Sequence, residues 1–218
     1  MTSTKQDTSS SELGAPVRRL GILGGTFDPP HYAHLVLAEN ARVQLALDRV
    51  LFVPAGDPPH KTAQPHTAVT DRVAMVESAI ADNPGFLLSR VDVDRPGPHY
   101  TVRTLALLQQ RHPSAELFLI IGEDSLAEFH TWREPDGIIR QARLAVMHRP
   151  GWQVDFERLA ESVPDILERL VWLDVPVLDV SSTELRRRVR RGLPIRYLVP
   201  PSVEDYVRRH CLHTGDDS

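Results

Sequence analysis

Two histidines three residues apart, His31 and His34, close the stretch GGTFDPPHYAH, Gly24 to His34, behind two glycines, a threonine, an aspartate and two prolines. Histidine changes charge near neutral pH and, when neutral, still donates a hydrogen bond from one ring nitrogen. Residues three apart are neighbours on a helix surface, so both imidazoles can reach one anionic group. Gly24 and Gly25 lack a Cβ, which permits positive φ and lets backbone N–H groups approach a ligand closely. Asp28 suits an N-cap and Pro29 a first helical residue, so a helix is expected to begin there. The N-terminus of such a helix favours an anion such as phosphate. Three readings stand open for the histidines: packed structural residues, metal ligands, or phosphate contacts. No further ligand stands at a recognisable metal-site spacing, and the neighbouring glycine loop favours phosphate.

The elements around this segment follow from the apolar pattern. From Val17 onward, apolar runs of strand length alternate with longer stretches of helical periodicity. The expected strands are Arg18 to Leu23, Val50 to Pro54, Phe86 to Val91, Leu117 to Ile121, Arg143 to Met147 and Val171 to Leu173. Short, nearly continuous apolar runs suit strands buried on both faces. The fold class is therefore α/β: a Rossmann-like, doubly wound, mainly parallel sheet with helices on both faces. Further helix starts are expected at Thr70 before Asp71, and at Ser181 with Glu184 at the spacing of a capping box. Ligands of such sheets settle at the carboxyl ends of the strands, and the first strand-to-helix junction is GGTFDPPHYAH itself.

Composition narrows the classes of function. A chain of 218 residues with 41% hydrophobic content can bury one sizeable core, expected here as one domain over 17–213. The polar, Ser/Thr-rich residues 1–16 read as a disordered tail rather than a signal peptide, and 214–218 as a short C-terminal tail. No apolar run reaches membrane-spanning length. A formal net charge of −4 argues against bulk electrostatic binding of nucleic acid. The run RRRVRR, Arg186 to Arg191, reads as a solvated helix face. Cys211 is the single cysteine, so no intrachain disulfide can form, and a reducing, cytoplasmic setting is expected. A homo-oligomer is compatible with all of this.

The segment GGTFDPPHYAH resembles the GGTFDPxHxGH loop of the HxGH nucleotidyltransferases, specifically bacterial nicotinate-mononucleotide adenylyltransferases. The resemblance extends from about Leu20 to His210 through VPAGDPPHK (Val53 to Lys61), RPGPHYTVRTL (Arg95 to Leu105), IGEDSLAEFHTW (Ile121 to Trp132), RPG (Arg149 to Gly151) and VSSTELR (Val180 to Arg186). Ala33 stands where the family usually has Gly, a position that the resemblance implies lies against the adenine. Val180 and Leu185 replace the usual isoleucines and keep their apolar character.

The resemblance implies attack by the 5′-phosphate of nicotinate mononucleotide on the α-phosphorus of ATP. The products would be deamido-NAD and pyrophosphate, formed without a covalent intermediate. Such transfer is mostly a matter of positioning and of stabilising charge. His31 and His34 would hold ATP phosphates, one of them protonated or at least donating. Gly24 and Gly25 would admit the nucleotide, while Thr26 and the amide of Phe27 would orient phosphates of both substrates. Lys61 would be a mobile cation closing on phosphate, and Arg186 with Ser181, Ser182 and Thr183 would meet the β and γ phosphates. Asp124 would accept from the adenosine ribose hydroxyls, Trp132 would stack on the pyridine ring, Thr101 would receive the nicotinate carboxylate, and Arg149 would contact a phosphate. Mg²⁺ would arrive with ATP as the substrate complex rather than in a protein cage. The rivals are another HxGH transferase, such as a pantetheine-phosphate adenylyltransferase or a glycerol-phosphate cytidylyltransferase, and a catalytically silent nucleotide-binding sensor.

Overall fold

The computed structural model describes residues 17–56, 67–149 and 151–214. Six strands form one all-parallel sheet: β1 (Arg19–Gly25), β2 (Arg49–Pro54), β3 (Phe86–Leu88), β4 (Glu116–Gly122), β5 (Ala142–Met147) and β6 (Leu170–Leu173). The order across the sheet is β3-β2-β1-β4-β5-β6, with β1 flanked in parallel by β2 and β4. The chain winds outward from β1 to β3 and then returns to β1's other side to begin β4. Strand order therefore reverses between β1 and β4, where the loops leaving their carboxyl ends part and open a crevice.

Alternation along the strands explains why both faces are covered. Leu20, Ile22, Leu51, Val53, Leu117, Leu119, Ile121, Leu144 and Val146 point to one face. There they meet α3 (Thr101–Arg111), α4 (Glu123–Ala127), α5 (Pro135–Gln141), α6 (Phe156–Ser162) and α7 (Ile166–Arg169). Leu23, Val50, Phe52, Phe118, Ile120 and Ala145 point to the other, against α1 (Tyr32–Gln44), α2 (Val69–Ile80), α8 (Ser182–Arg190) and α9 (Pro201–Arg209). A strand buried on both sides needs apolar residues at consecutive positions, which is the pattern in the sequence.

β1 runs on to Gly25 instead of Leu23, several other strand ends shift by one residue, and three further boundaries move. β3 stops at Leu88 instead of Val91: Ser89 N–H still reaches the Phe52 carbonyl at 2.8 Å, but Val93 and Asp94 N–H then fold back onto the Arg90 carbonyl at 2.9 Å. The burial of Val91 belongs to that turn. The first helix begins at Tyr32, with His31 as N-cap, and not at Asp28 and Pro29. Each of those two residues precedes a proline, and steric conflict with the proline ring keeps the preceding residue out of the helical region. α2 starts at Val69 with Ala68 as N-cap, so Thr70 lies within its first turn. The Ser181 cap stands as expected, its hydroxyl accepting from Glu184 N–H at 3.2 Å.

α9 is tied to α2 by Tyr206, whose hydroxyl donates to Asp71 Oδ1 at 2.9 Å, and by Ser202, whose hydroxyl donates to the Ser78 carbonyl at 2.9 Å. Tyr206→Phe removes the first bond while keeping the ring. The expected loss of unfolding free energy in urea titration is about 1 kcal/mol, the net worth of such a bond.

Candidate active site

The segment from Gly24 to His34 leaves β1 as a loop whose shape is set at Phe27. The left-handed residue is Phe27, with φ 51°, whereas neither Gly24 nor Gly25 adopts positive φ. The glycines act instead through their missing side chains. A Cβ on Gly25 would stand 3.1 to 3.3 Å from the Phe27 ring, whereas one on Gly24 would project into open space. Phe27 is buried against Phe52, ring centroids 5.8 Å apart, so only its backbone can meet a ligand.

Beyond Phe27 the peptide groups join neither strand nor helix, and distant donors satisfy them. The Thr26 carbonyl accepts from Arg72 at 2.8 Å. The Asp28 carbonyl accepts from Arg186 at 2.8 Å, and the Pro29 carbonyl from the Ser182 hydroxyl at 2.9 Å. Tyr32 N–H donates to the Leu198 carbonyl at 3.1 Å. The N-terminus of α8 is thus docked on the loop. Arg186 also reaches the Thr183 hydroxyl at 3.4 Å, and Ser181 serves as the helix cap.

His31 and His34 come together as their spacing requires. Their rings stack with centroids 3.7 Å apart, and Phe27 meets His34 edge-on at 5.0 Å. His31 N–H donates to His34 Nδ1 at 3.2 Å, which assigns the proton of a neutral His34 ring to Nε2. Burial, reinforced by the Arg149 guanidinium, pushes His31 down from 6.5 to about 4. Burial, His31 and then Arg149 hold His34 well below the usual histidine range. Both imidazoles are therefore neutral in the free protein at neutral pH. Each neutral ring keeps one N–H that can donate to a ligand.

A cleft of about 480 Å³ opens at the reversal of strand order. Gly24, Gly25, Thr26, His34, Thr101, Asp124, Trp132 and Arg149 line it. Thr101 is the first residue of α3, so the unpaired N–H groups and positive dipole of that helix end face this space. Trp132 packs against Phe129, ring centroids 5.2 Å apart and planes tilted by 39°, at the cleft wall. Asp124 and Arg149 form an ion pair at 3.0 Å. His31 stands behind His34 rather than on the wall. Arg186, Ser181, Ser182 and Thr183 do not line the cleft, and Lys61 falls outside the described residues. Among the described residues no three His, Cys, Asp or Glu side chains converge to hold a metal ion.

Several contributors have no role assigned from the sequence, although some lie within the quoted motifs. Glu123, buried behind the cleft, accepts from Arg149 N–H at 3.0 Å and from His148 at 3.2 Å, fixing the base of Arg149. Asp92 accepts from the Thr104 hydroxyl at 2.8 Å and from Arg95 at 2.7 Å, bracing the start of α3. His99, Tyr100 and Arg133 complete that wall. Arg72 carries no motif signal; only its place beside Val73, Met75 and Val76 on the buried face of α2 could have marked it.

Residues 22–188 match the cytidylyltransferase-like family. A protein of Thermomicrobium roseum, named a probable nicotinate-nucleotide adenylyltransferase, is 48% identical over 195 residues, covering 89% of this chain and 91% of its own. One from Roseiflexus sp. with the same name is 48% identical over 194 residues, covering 89% of this chain and 97% of its own. The nicotinic acid mononucleotide adenylyltransferase of Plasmodium falciparum, solved in complex with NaAD, shares the fold with a TM-score of 0.74 at 18% identity, covering 92% of this chain and 100% of its own.

Two measurements check the site's geometry. Gly24→Val places branched methyls in open cleft space, so stability should stay within about 0.5 kcal/mol while calorimetric affinity for ATP falls about tenfold or more. A histidine whose folded-state pKa is depressed favours folding above its unfolded value of 6.5, and that advantage is lost as pH falls toward about 4. His31→Gln should therefore flatten the fall in stability between pH 6.5 and 4, by up to about 3 kcal/mol over that window, in urea titrations at stepped pH.

Proposed function

The chain belongs to the cytidylyltransferase-like family, among the nicotinate-nucleotide adenylyltransferases, and from that premise we propose how its cleft performs the reaction. The protein transfers the adenylyl group of ATP to nicotinate mononucleotide, releasing pyrophosphate and forming deamido-NAD for NAD biosynthesis. The observation that carries this reading is the pairing of two unlike walls across one cleft. A loop of N–H donors at Thr26 and His34 faces a helix N-terminus at Thr101 beside the Trp132 ring.

ATP enters against Gly24 and Gly25 with its triphosphate along the loop. Neutral His34 donates from Nε2 without competing for a proton, and negative charge arriving beside it raises the affinity of both rings for one. His31, stacked behind, takes part as charge moves onto the departing pyrophosphate. Arg186 turns its remaining N–H groups, with Ser181, Ser182 and Thr183, toward the β and γ phosphates. Lys61 approaches from the segment following β2. Asp124 exchanges part of its bond with Arg149 for the ribose hydroxyls, which releases Arg149 toward phosphate. The mononucleotide stacks its pyridine on Trp132 and sets its carboxylate at Thr101, where the helix dipole favours an acid over an amide. Its phosphate, oriented by Thr26 and the Phe27 amide, attacks the α-phosphorus in line.

Mg²⁺ comes with ATP, keeps most of its waters and neutralises phosphate charge. We further read 17–213 as one nucleotidyltransferase domain working in the cytoplasm. No helix among the described residues is long and apolar enough to cross a membrane.

Pyrophosphate release from Mg-ATP, measured with nicotinate mononucleotide, nicotinamide mononucleotide, phosphopantetheine and glycerol phosphate in parallel, tests the assignment. Release should be far fastest with nicotinate mononucleotide. Equal or greater release with another acceptor would reassign the substrate, and no release despite ATP binding would make the protein a sensor. His34→Ala and Arg186→Ala should each lower kcat by about 100-fold or more, with smaller changes in ATP affinity.

A further inference from the structure

Beneath the loop lies a group of buried polar and charged side chains that the transfer chemistry described above does not touch. Arg72 is 2% exposed, on the face of α2 that packs into the core. Its guanidinium donates to three carbonyls on three separate stretches: Thr26 at 2.8 Å, Thr67 at 3.1 Å and Gly56 at 3.3 Å. Beside it is Asp28, 1% exposed, whose charge favours the buried guanidinium against its desolvation. Asp28 Oδ2 accepts from Thr67 N–H at 3.2 Å, and Oδ1 lies 3.5 Å from Nε2 of His213. The His213 side chain is itself only 6% exposed, brought back from the turn after α9. None of the three side chains lines the cleft.

We propose that Arg72 is a positioning residue for adenylyl transfer: with Asp28 and His213 it forms a buried polar brace that aims the Phe27 amide and His34 at the reacting phosphates. The link is the planarity of the peptide bond. The Thr26 carbonyl and the Phe27 N–H belong to one rigid unit and point in opposite directions, so a donor that fixes the carbonyl fixes the N–H. Arg72 grips that carbonyl from the interior, which turns the Phe27 N–H away from it. Asp28, the next residue, is held by Thr67 N–H and packs against the His213 ring. Rotation at Phe27 is thereby blocked at both ends, and the histidines that follow inherit their direction.

The brace needs an arginine. A guanidinium is a planar fork with five N–H donors and can serve three diverging carbonyls at once; an ammonium is a compact point charge that cannot. A charge this deeply buried is retained at a desolvation cost that an apolar residue on the same helix face would avoid.

This inference rests on the activity proposed above, and its test keeps the two apart. Arg72→Lys keeps the charge and loses the fork; Arg72→Met loses both. For positioning, kcat should fall about tenfold in Arg72→Lys and about 100-fold in Arg72→Met, the scale of a small misplacement of reacting groups. KM for both substrates should stay within about threefold, because ground-state contacts on the cleft wall are untouched. His213→Gln should lower kcat in the same direction. Hydrogen exchange supplies a readout independent of turnover: the amides of Tyr32 and His34 should exchange faster in the variants while those of β4 keep their protection. If Arg72→Met does not fold, Arg72→Lys decides. A folded Arg72→Lys protein with kcat within twofold of wild type overturns the proposal, as does a rise in KM at unchanged kcat. Should the wild type itself fail to turn over, the activity falls and the exchange rates decide the brace, unchanged loop exchange overturning it.

Discussion

The loop after β1 cannot satisfy its own peptide groups, and much of the chain is arranged around that deficit. Phe27 turns left-handed and two prolines follow, so the carbonyls of Thr26, Asp28 and Pro29 join neither the sheet ladder nor α1. Buried carbonyls without donors are costly, so donors must be brought in. They come from Arg72, Arg186 and Ser182, which lie 46, 158 and 153 residues along the chain from the carbonyls they serve. The loop therefore takes its shape only when α2 and α8 have docked. Cleft and fold are completed by the same bonds, which is the sense in which this site is preorganised.

The electrostatics follow from the same packing. Two stacked imidazoles under Arg149 resist protonation, so the free cleft presents polar N–H groups instead of a fixed pair of histidine charges. Two arginines stand on the wall: Arg133, and Arg149, which is held by Asp124 and backed by Glu123. A site of this kind answers to charge that arrives with the ligand. Phosphate strengthens every donor in it, whereas a neutral ligand gains little from any of them.

What the sequence discloses is whatever depends on local pattern. Short, nearly continuous apolar runs placed all six strands, and Ser181 with Glu184 marked the start of α8. The motif residues Gly24, His34, Thr101, Asp124, Trp132 and Arg149 meet in one cleft although they lie on four separate stretches of chain. Misreadings arose where a short-range rule met a competing one. Asp28 and Pro29 look like a cap and a first turn until Pro30 is weighed, and the glycine pair suggested positive φ where Phe27 supplies it. Glu123 and Asp92 stayed hidden because their partners, Arg149 and Thr104, are met only through folding. Arg72 stayed hidden as well, because the three carbonyls it serves lie on separate stretches that spacing does not connect.

The most direct measurement is a crystal structure of the protein with a non-hydrolysable ATP analogue and Mg²⁺. The account predicts a triphosphate bound along Thr26 to His34, within hydrogen-bond reach of His34 Nε2 and the Phe27 amide. The loop backbone should superpose on its ligand-free form within about 0.5 Å, as a site built in advance requires. Phosphates bound elsewhere in the cleft, or a loop that refolds around them and releases Arg72 from the Thr26 carbonyl, would contradict it.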